Sequence, residues 1–288
     1  MMRKALALAA VLGLASFVAA PAMAETTQAP LKDMHWSFEG PFGRFSTPEG
    51  QEQLQRGYKV YHDVCSACHA MHLMSYRNLG QPGGPFFDPK FPNPNDNPRV
   101  KAIAADFNVA DIDSDTGDVV KRPATPADAF VSPFPNEAAA RASNGGALPP
   151  DLSLIVKARE GGPQYIYSIL TGYAAVPAGM KVPAGKYYNP YMPGDMTANW
   201  SGSGPVPIGG FIAMPRQLTD NRVTFDDGVK ATASQEAMDV TAFLAWAAEP
   251  HADERKSTGV AVLIFLGLFS LLMYASYRKL WKDIDHHS

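Results

Sequence analysis

The chain has 288 residues, 46% of them hydrophobic, and a formal charge of −3 at pH 7, enough apolar content for a sizeable core in one or two domains. Two basic residues lie before position 25, and three basic and two acidic ones follow 256, so residues 25–256 carry 26 acidic and 20 basic side chains, a balance of −6. That balance excludes nucleic acid as a partner and suits either plain solubility or the steering of a basic protein.

Residues 1–24 read as a secretory signal peptide: Arg3-Lys4, the apolar run Ala5 to Ala20, then the small-x-small cleavage pattern Ala22-Met23-Ala24. A mitochondrial presequence would be Arg- and Ser-rich, so the continuous apolar run points to bacterial export, with the mature chain starting near Glu25. His35-Trp36-Ser37-Phe38-Glu39-Gly40-Pro41-Phe42 is an aromatic arm broken by Gly and Pro, expected to pack on the surface. Ser46-Thr47-Pro48-Glu49 then supplies a cap hydroxyl, a first-turn proline and an early carboxylate, and Leu54, Tyr58 and Tyr61 follow at i, i+4, i+7, which predicts a helix.

That helix runs into Cys65-Ser66-Ala67-Cys68-His69, the attachment signature of c-type haem. Two thiols three positions apart lie on neighbouring sides of one helical turn, where both reach the vinyl groups of one porphyrin, and the next residue stays beneath the ring. His69 then supplies the proximal imidazole. A zinc site would need further ligands, and there is no third cysteine; a thioredoxin-type dithiol is expected near a strand–helix pattern, whereas this motif closes a helical stretch. The expectation is one covalently bound haem c on Cys65, Cys68 and His69, which leaves no thiol for a structural disulfide.

Met71, Leu73, Met74 and Tyr76 continue the apolar lining, and Gly80 to about Pro98 is Pro/Gly/Asn loop. Asp111-x-Asp113-x-Asp115-x-Gly117 resembles the first half of a calcium loop, but Arg122 stands at its twelfth position in place of glutamate, so the stretch reads as a solvated acidic loop. A short helix is expected over Ala138 to Ala142, ended by Asn144-Gly145-Gly146. Pro149-Pro150 keep Ala147 to Leu152 extended and stiff, suited to lie on a porphyrin or to serve as a linker. A helix or pair of helices is expected from Leu152 to Arg159 and, past Gly161-Gly162-Pro163, through Ile166, Ile169 and Leu170. Residues 172–215 return to Gly, Pro and Tyr.

A further helix starts near Thr232-x-x-Gln235, carries Val240, Phe243, Leu244 and Ala247 on one face, and ends at Glu249-Pro250-His251. The charged stretch Asp253 to Lys256 reads as a linker. Thr258 to Tyr277 is uncharged for 20 residues, about 30 Å of helix and one bilayer core. Arg278, Lys279 and Lys282 outnumber Arg255 and Lys256 only slightly, so the signal sets the orientation. The plan is a signal peptide (1–24), a periplasmic haem domain (25–256), a single transmembrane helix in the bacterial inner membrane (257–277) and a cytoplasmic tail (278–288). With no sustained period-2 pattern, the fold is expected to be mostly α with long Pro/Gly loops, and it resembles the class I cytochrome c architecture.

The iron's other axial position decides between a carrier, closed by a thioether, and an open site that admits small molecules. His62, His72, Met71 and Met74 lie too near the motif to reach the opposite face, and His35 and His251 read as surface histidines. Met180, Met192, Met196 and Met214 can return over that face. Phe211-Ile212-Ala213 leading into Met214-Pro215 favours Met214 without excluding the others.

The joint pattern Trp36-Ser37-Phe38, Arg56-Gly57-Tyr58, Met74-x-Tyr76-Arg77, Asn144-Gly145-Gly146-Ala147-Leu148-Pro149-Pro150-Asp151-Leu152-Ser153, Leu170-Thr171-Gly172-Tyr173, Ile212-Ala213-Met214-Pro215 and Phe243-Leu244-x-Trp246-Ala247-x-Glu249-Pro250 resembles the cytochrome c1 family over nearly the whole mature chain. The resemblance implies Met214 as sixth ligand, with Arg159 and Tyr165 at positions that bind haem propionates. Ala174 stands where some bacterial relatives carry a cysteine, and Met196 to Gly210 looks inserted. It also implies a subunit of a dimeric quinol–cytochrome c oxidoreductase (bc1) complex beside cytochrome b, taking electrons from a Rieske iron–sulfur protein and passing them to a basic cytochrome c. The chain itself would be no enzyme. The alternatives are an anchored cytochrome subunit of another reductase, or a haem enzyme or gas sensor with a displaceable ligand.

Overall fold

The computed structural model describes residues 28–282; the signal-peptide reading of 1–24 and the end of the tail lie outside the described residues. Helix α1 (Pro48–Asp63) begins as its sequence dictates: Thr47 Oγ1 accepts the Gly50 N–H at 3.0 Å, with Pro48 in the first turn. It buries Leu54, Tyr58, Val60 and Tyr61. The other helices of the head are α2 (Pro98–Ala105), α3 (Glu137–Ser143), α4 (Gly162–Thr171) and α5 (Ala233–Ala248), the last capped by Thr232 on the Gln235 N–H.

The principal contact is α1 on α5. Gly57 makes it possible, because a Cβ there would lie 2.1 Å from the Asp239 carbonyl oxygen and 2.7 Å from Phe243 Cβ. Beside the crossing, the fully buried Asp239 carboxylate accepts Arg56 Nε at 2.8 Å, Gln235 Nε2 at 2.9 Å and Gln53 Nε2 at 3.3 Å. Charge pairing with added hydrogen bonds is what makes such burial tolerable. Phe243 and Trp246, unexposed, complete the core with Tyr58 and Tyr61 on α1 and α4 packed on α5.

Four differences from the sequence reading have physical causes. Two antiparallel hairpins are present, β1 (Asn108–Ile112) with β2 (Val119–Pro123), and β3 (Tyr187–Asn189) with β4 (Gly210–Ile212). Almost all of β1 and β2 is exposed, so no buried face imposes an alternating pattern. Two aspartates of this stretch accordingly have structural tasks. Asp111 pairs with Arg122, which also binds Asp128 at 2.7 Å, and Asp113 accepts the N–H groups of Asp115 and Thr116 in the turn. Helix α2, capped by Asn97 on the Arg99 and Val100 N–H groups, is a helix the sequence reading did not anticipate, starting where the stretch read as loop ends.

The stretch Leu152 to Arg159 is a series of turns rather than a helix. Its leading donor, Leu152 N–H, is engaged on the Ala70 carbonyl at 2.9 Å, and Ser153 Oγ accepts Leu73 N–H at 3.1 Å, tying the segment sideways to 70–73. Finally, Asp253 to Lys256 is no linker but the first turns of α6 (Ala252–Trp281), 30 residues long and so about 45 Å. Asp253 accepts the Phe45 and Ser46 N–H groups at 3.0 and 2.8 Å. Beyond it, apolar side chains are exposed from Val260 to Trp281, and the helix is long and apolar enough to cross a membrane.

Candidate haem site

Helix α1 ends at Asp63, and Cys65–Ala67 tighten into a 3₁₀ turn in which both Cys68 N–H (3.1 Å) and His69 N–H (2.9 Å) donate to the Cys65 carbonyl. The five-residue motif thus occupies a single turn, with Cys65 partly buried, Cys68 exposed and both sulfurs unpaired. Burial, then the neighbouring Cys68, pushes the Cys65 thiol up to about 12. A thiol–disulfide catalyst needs the opposite, a nucleophile held below its ordinary value. The pair is therefore poorly suited to dithiol exchange.

His69 is oriented by a backbone carbonyl. Its Nδ1 lies 2.8 Å from the Pro150 carbonyl, an acceptor only, so Nδ1 carries the proton and Nε2 keeps a free lone pair. Burial lowers the imidazole's pKa, against the Pro150 bond and Asp151, which raise it; a neutral ring is the form that ligates iron. The Pro150 carbonyl is held in turn by its neighbour. Asp151 accepts the His72 N–H at 2.8 Å, His72 Nδ1 at 2.6 Å and the Ser153 N–H at 2.8 Å, while His72 Nε2 meets Ser132 Oγ at 2.8 Å. The paired prolines signalled a stiff segment; nothing local in the sequence signalled its hydrogen bond to His69.

The four distal methionines separate by their surroundings. Met180 and Met196 are buried with Tyr188 in a small satellite cluster against Trp200 and Phe211. Met192 packs on the main core, and its sulfur accepts the Tyr165 hydroxyl at 3.6 Å. Met214 is partly buried, two residues past β4, and among the described residues no side chain donates to its sulfur. Its backbone is fixed instead: Tyr173 Oη donates to the Met214 carbonyl at 2.8 Å, and burial raises the Tyr173 pKa well above the ordinary phenol value, keeping it a donor. The β3–β4 hairpin that presents Met214 is fastened to α4 by the buried Asn189, whose Nδ2 donates to the Ile169 carbonyl at 2.9 Å.

Arg159 and Tyr165 flank the Gly161-Gly162 turn at the start of α4, where Gly161 has φ +83°. Arg159 is exposed, with Nη1 3.0 Å from the Ala158 carbonyl; Tyr165 is buried, and among the described residues its hydroxyl bonds only to the Met192 thioether. Arg159 spends one of its five donors on that carbonyl and Tyr165 donates to a weak acceptor, so both keep donor capacity for a carboxylate. Burial raises the Tyr165 pKa while the Arg159 charge lowers it. Among the described residues no hydrogen bond joins the His69 side of the site to the Met214 side. Together the donor set fits a haem c: two thiols on one turn, a neutral imidazole with its lone pair free, an unengaged thioether, and two donors suited to propionates.

The profile of the Cytochrome C1 family matches residues 36–284. A cytochrome c1 of Rhodospirillum rubrum is 41% identical over 290 residues, covering 95% of this chain and 96% of that protein. A cytochrome b/c1 of Bradyrhizobium diazoefficiens is 43% identical over 267 residues, 86% of this chain but only 35% of the relative, so the chain spans about a third of that longer protein. A mitochondrial cytochrome c1 haem protein of Saccharomyces cerevisiae is 42% identical over 250 residues, 86% of this chain and 71% of the relative.

Proposed function

The chain belongs to the cytochrome c1 family, and from that premise we propose that it is the haem-bearing electron-transfer subunit of a quinol–cytochrome c oxidoreductase, with the haem joined covalently to Cys65 and Cys68 and ligated by His69 and Met214. When bound, the haem supplies a one-electron iron couple. The chain's own residues bind and orient. Pro150, steadied by Asp151, holds the His69 tautomer; Tyr173 holds the backbone of Met214; Arg159 and Tyr165 serve the propionates. In this reading the chain is a carrier within the complex, and the complex as a whole is the enzyme.

The reading extends to the partners and the membrane. The head, residues 25–256, stands on the periplasmic side of a bacterial inner membrane, 257–277 of α6 cross it, and 278–288 lie in the cytoplasm. Cytochrome b, a Rieske iron–sulfur donor and a basic cytochrome c acceptor complete a dimeric assembly. The observation that carries the proposal is the His69–Pro150 bond at 2.8 Å beside two unpaired thiols on the same turn. Acid–acetone treatment of the purified protein should leave the colour on the polypeptide, and mild-detergent purification should bring down a cytochrome b and an iron–sulfur protein. Complete extraction of the haem would refute covalent attachment; isolation of the chain without those partners would refute the assembly.

The acidic balance of the head predicts electrostatic steering of the acceptor. The second-order rate of oxidation by a basic cytochrome c should fall steeply as ionic strength rises, because the Debye length shrinks from about 30 Å at 0.01 M to about 8 Å at 0.15 M. Since Asp111 and Asp113 are engaged within the hairpin, Asp115→Asn and Asp118→Asn are the less disruptive probes of that loop. A rate that does not respond to salt would rule steering out.

A further inference from the structure

The loop Phe38–Arg44 turns its carbonyls inward and its apolar tip outward. Lys256 Nζ, in the second turn of α6, donates to the carbonyls of Phe38, Gly40 and Gly43 at 2.8, 2.8 and 2.9 Å, and lies 3.3 Å from the centre of the Phe38 ring. Arg44 Nη1 donates to the Pro41 and Gly43 carbonyls at 2.9 and 2.8 Å. The turn needs both glycines: Gly40 has φ +68°, and a Cβ on Gly43 would come within 2.3 Å of the Glu39 carbonyl oxygen. The base of the loop is fixed by Phe38 stacked on Phe45 at 4.2 Å. At the tip Pro41 is exposed, and Phe42 is 81% exposed.

One exposed phenylalanine is ordinary on a protein surface. The level of this one is not. Lys256 precedes the uncharged stretch Thr258–Tyr277 by two residues, about 3 Å of helix, so the loop that Lys256 holds stands beside the point where the bare apolar helix begins. We propose that Pro41-Phe42 is a lipid contact: Phe42 enters the boundary between headgroups and acyl chains of the leaflet from which α6 emerges, giving the head a second attachment point. Phenylalanine is among the side chains that interfacial segments bury at the boundary of headgroups and acyl chains, and partial immersion of an apolar face is how monotopic segments bind. Lipid is the occupant the geometry favours because the loop is held on Lys256, two residues ahead of a stretch whose own apolar side chains are exposed. The inference rests on the reading that α6 spans a membrane.

The test is a nitroxide on F42C in the intact complex in phospholipid vesicles, with L268C mid-helix and T116C on the hairpin tip as references; the parent should take no label if Cys65 and Cys68 are both in thioether bonds. The replacement disturbs no packing, since Phe42 is exposed. The ratio of oxygen to nickel-chelate accessibility at position 42 should be several-fold above that at 116 and should approach that at 268. A ratio at 42 equal to that at 116 places the tip in water and overturns the inference while leaving α6 in the bilayer. An immobilised label shielded from both reagents places the tip under a protein partner and overturns it likewise. Nickel-chelate access at 268 would instead overturn the membrane reading beneath it.

Discussion

Met214→Leu is expected to keep the haem on the polypeptide while lowering its reduction potential by about 0.1 V or more, within the ~0.8 V that axial ligands span, and to let carbon monoxide bind the reduced protein. The reasoning is steric and electronic together. Leucine fills nearly the same volume, so the backbone held by Tyr173 has no cause to move, but it offers no lone pair, and the thioether that favours ferrous iron is lost. Met192→Leu is the comparison. Its sulfur is already engaged with Tyr165, so that variant should keep a potential close to the parent's and stay closed to carbon monoxide. A redox titration of both, with a carbon monoxide difference spectrum, decides the matter; the reverse outcome would move the sixth ligand to Met192.

Gly57→Ala should be the most damaging single methyl in the head. A Cβ 2.1 Å from the Asp239 carbonyl oxygen and 2.7 Å from Phe243 Cβ meets backbone on one side and a fully buried ring's stem on the other. Neither can rotate away, so α1 and α5 must separate. Separation strains the Arg56–Asp239 bonds, whose carboxylate is wholly buried. Overpacking of a tight core costs about 1–3 kcal/mol, and a loosened buried ion pair adds to that, so a loss of roughly 3 kcal/mol or more is expected. Thermal melting of the holoprotein in detergent would show it. A transition unchanged within about 1 °C would mean the crossing is not close-packed at this residue, since ~1 kcal/mol moves the midpoint of a domain this size by about 2–4 °C.

What could be read in the sequence was what local chemistry specifies. Thr47 and Thr232 are caps because a hydroxyl three residues ahead of a free N–H has one obvious use, and Leu54, Tyr58 and Tyr61 share a face because the helix period puts them there. Cys65 to His69 could be read as a unit because its five residues lie within one turn. The rest depends on distant partners. Pro150 meets His69 across 81 positions, and Tyr173 reaches Met214 across 41, with no sequence feature naming either pair. The hairpin over Asn108–Pro123 escaped for a related reason: with neither face buried, Val119-Val120-Lys121-Arg122 has no alternation to display. The turns at 152–159 were misread as helix because apolar spacing cannot reveal that Leu152 is bonded to Ala70.

The α1–α5 crossing also imposes an order in time. Arg56 and Asp239 are 183 residues apart, and at about 5–20 residues per second of synthesis the second helix follows the first by roughly 10–40 s. Throughout that interval α1 lacks its principal partner and can pack only on earlier residues such as Phe86, Phe107 and Phe130, so the Cys65–His69 turn is complete in sequence long before the crossing that braces its helix. The order of synthesis therefore puts the Cys65–His69 turn in place before the helix crossing can form.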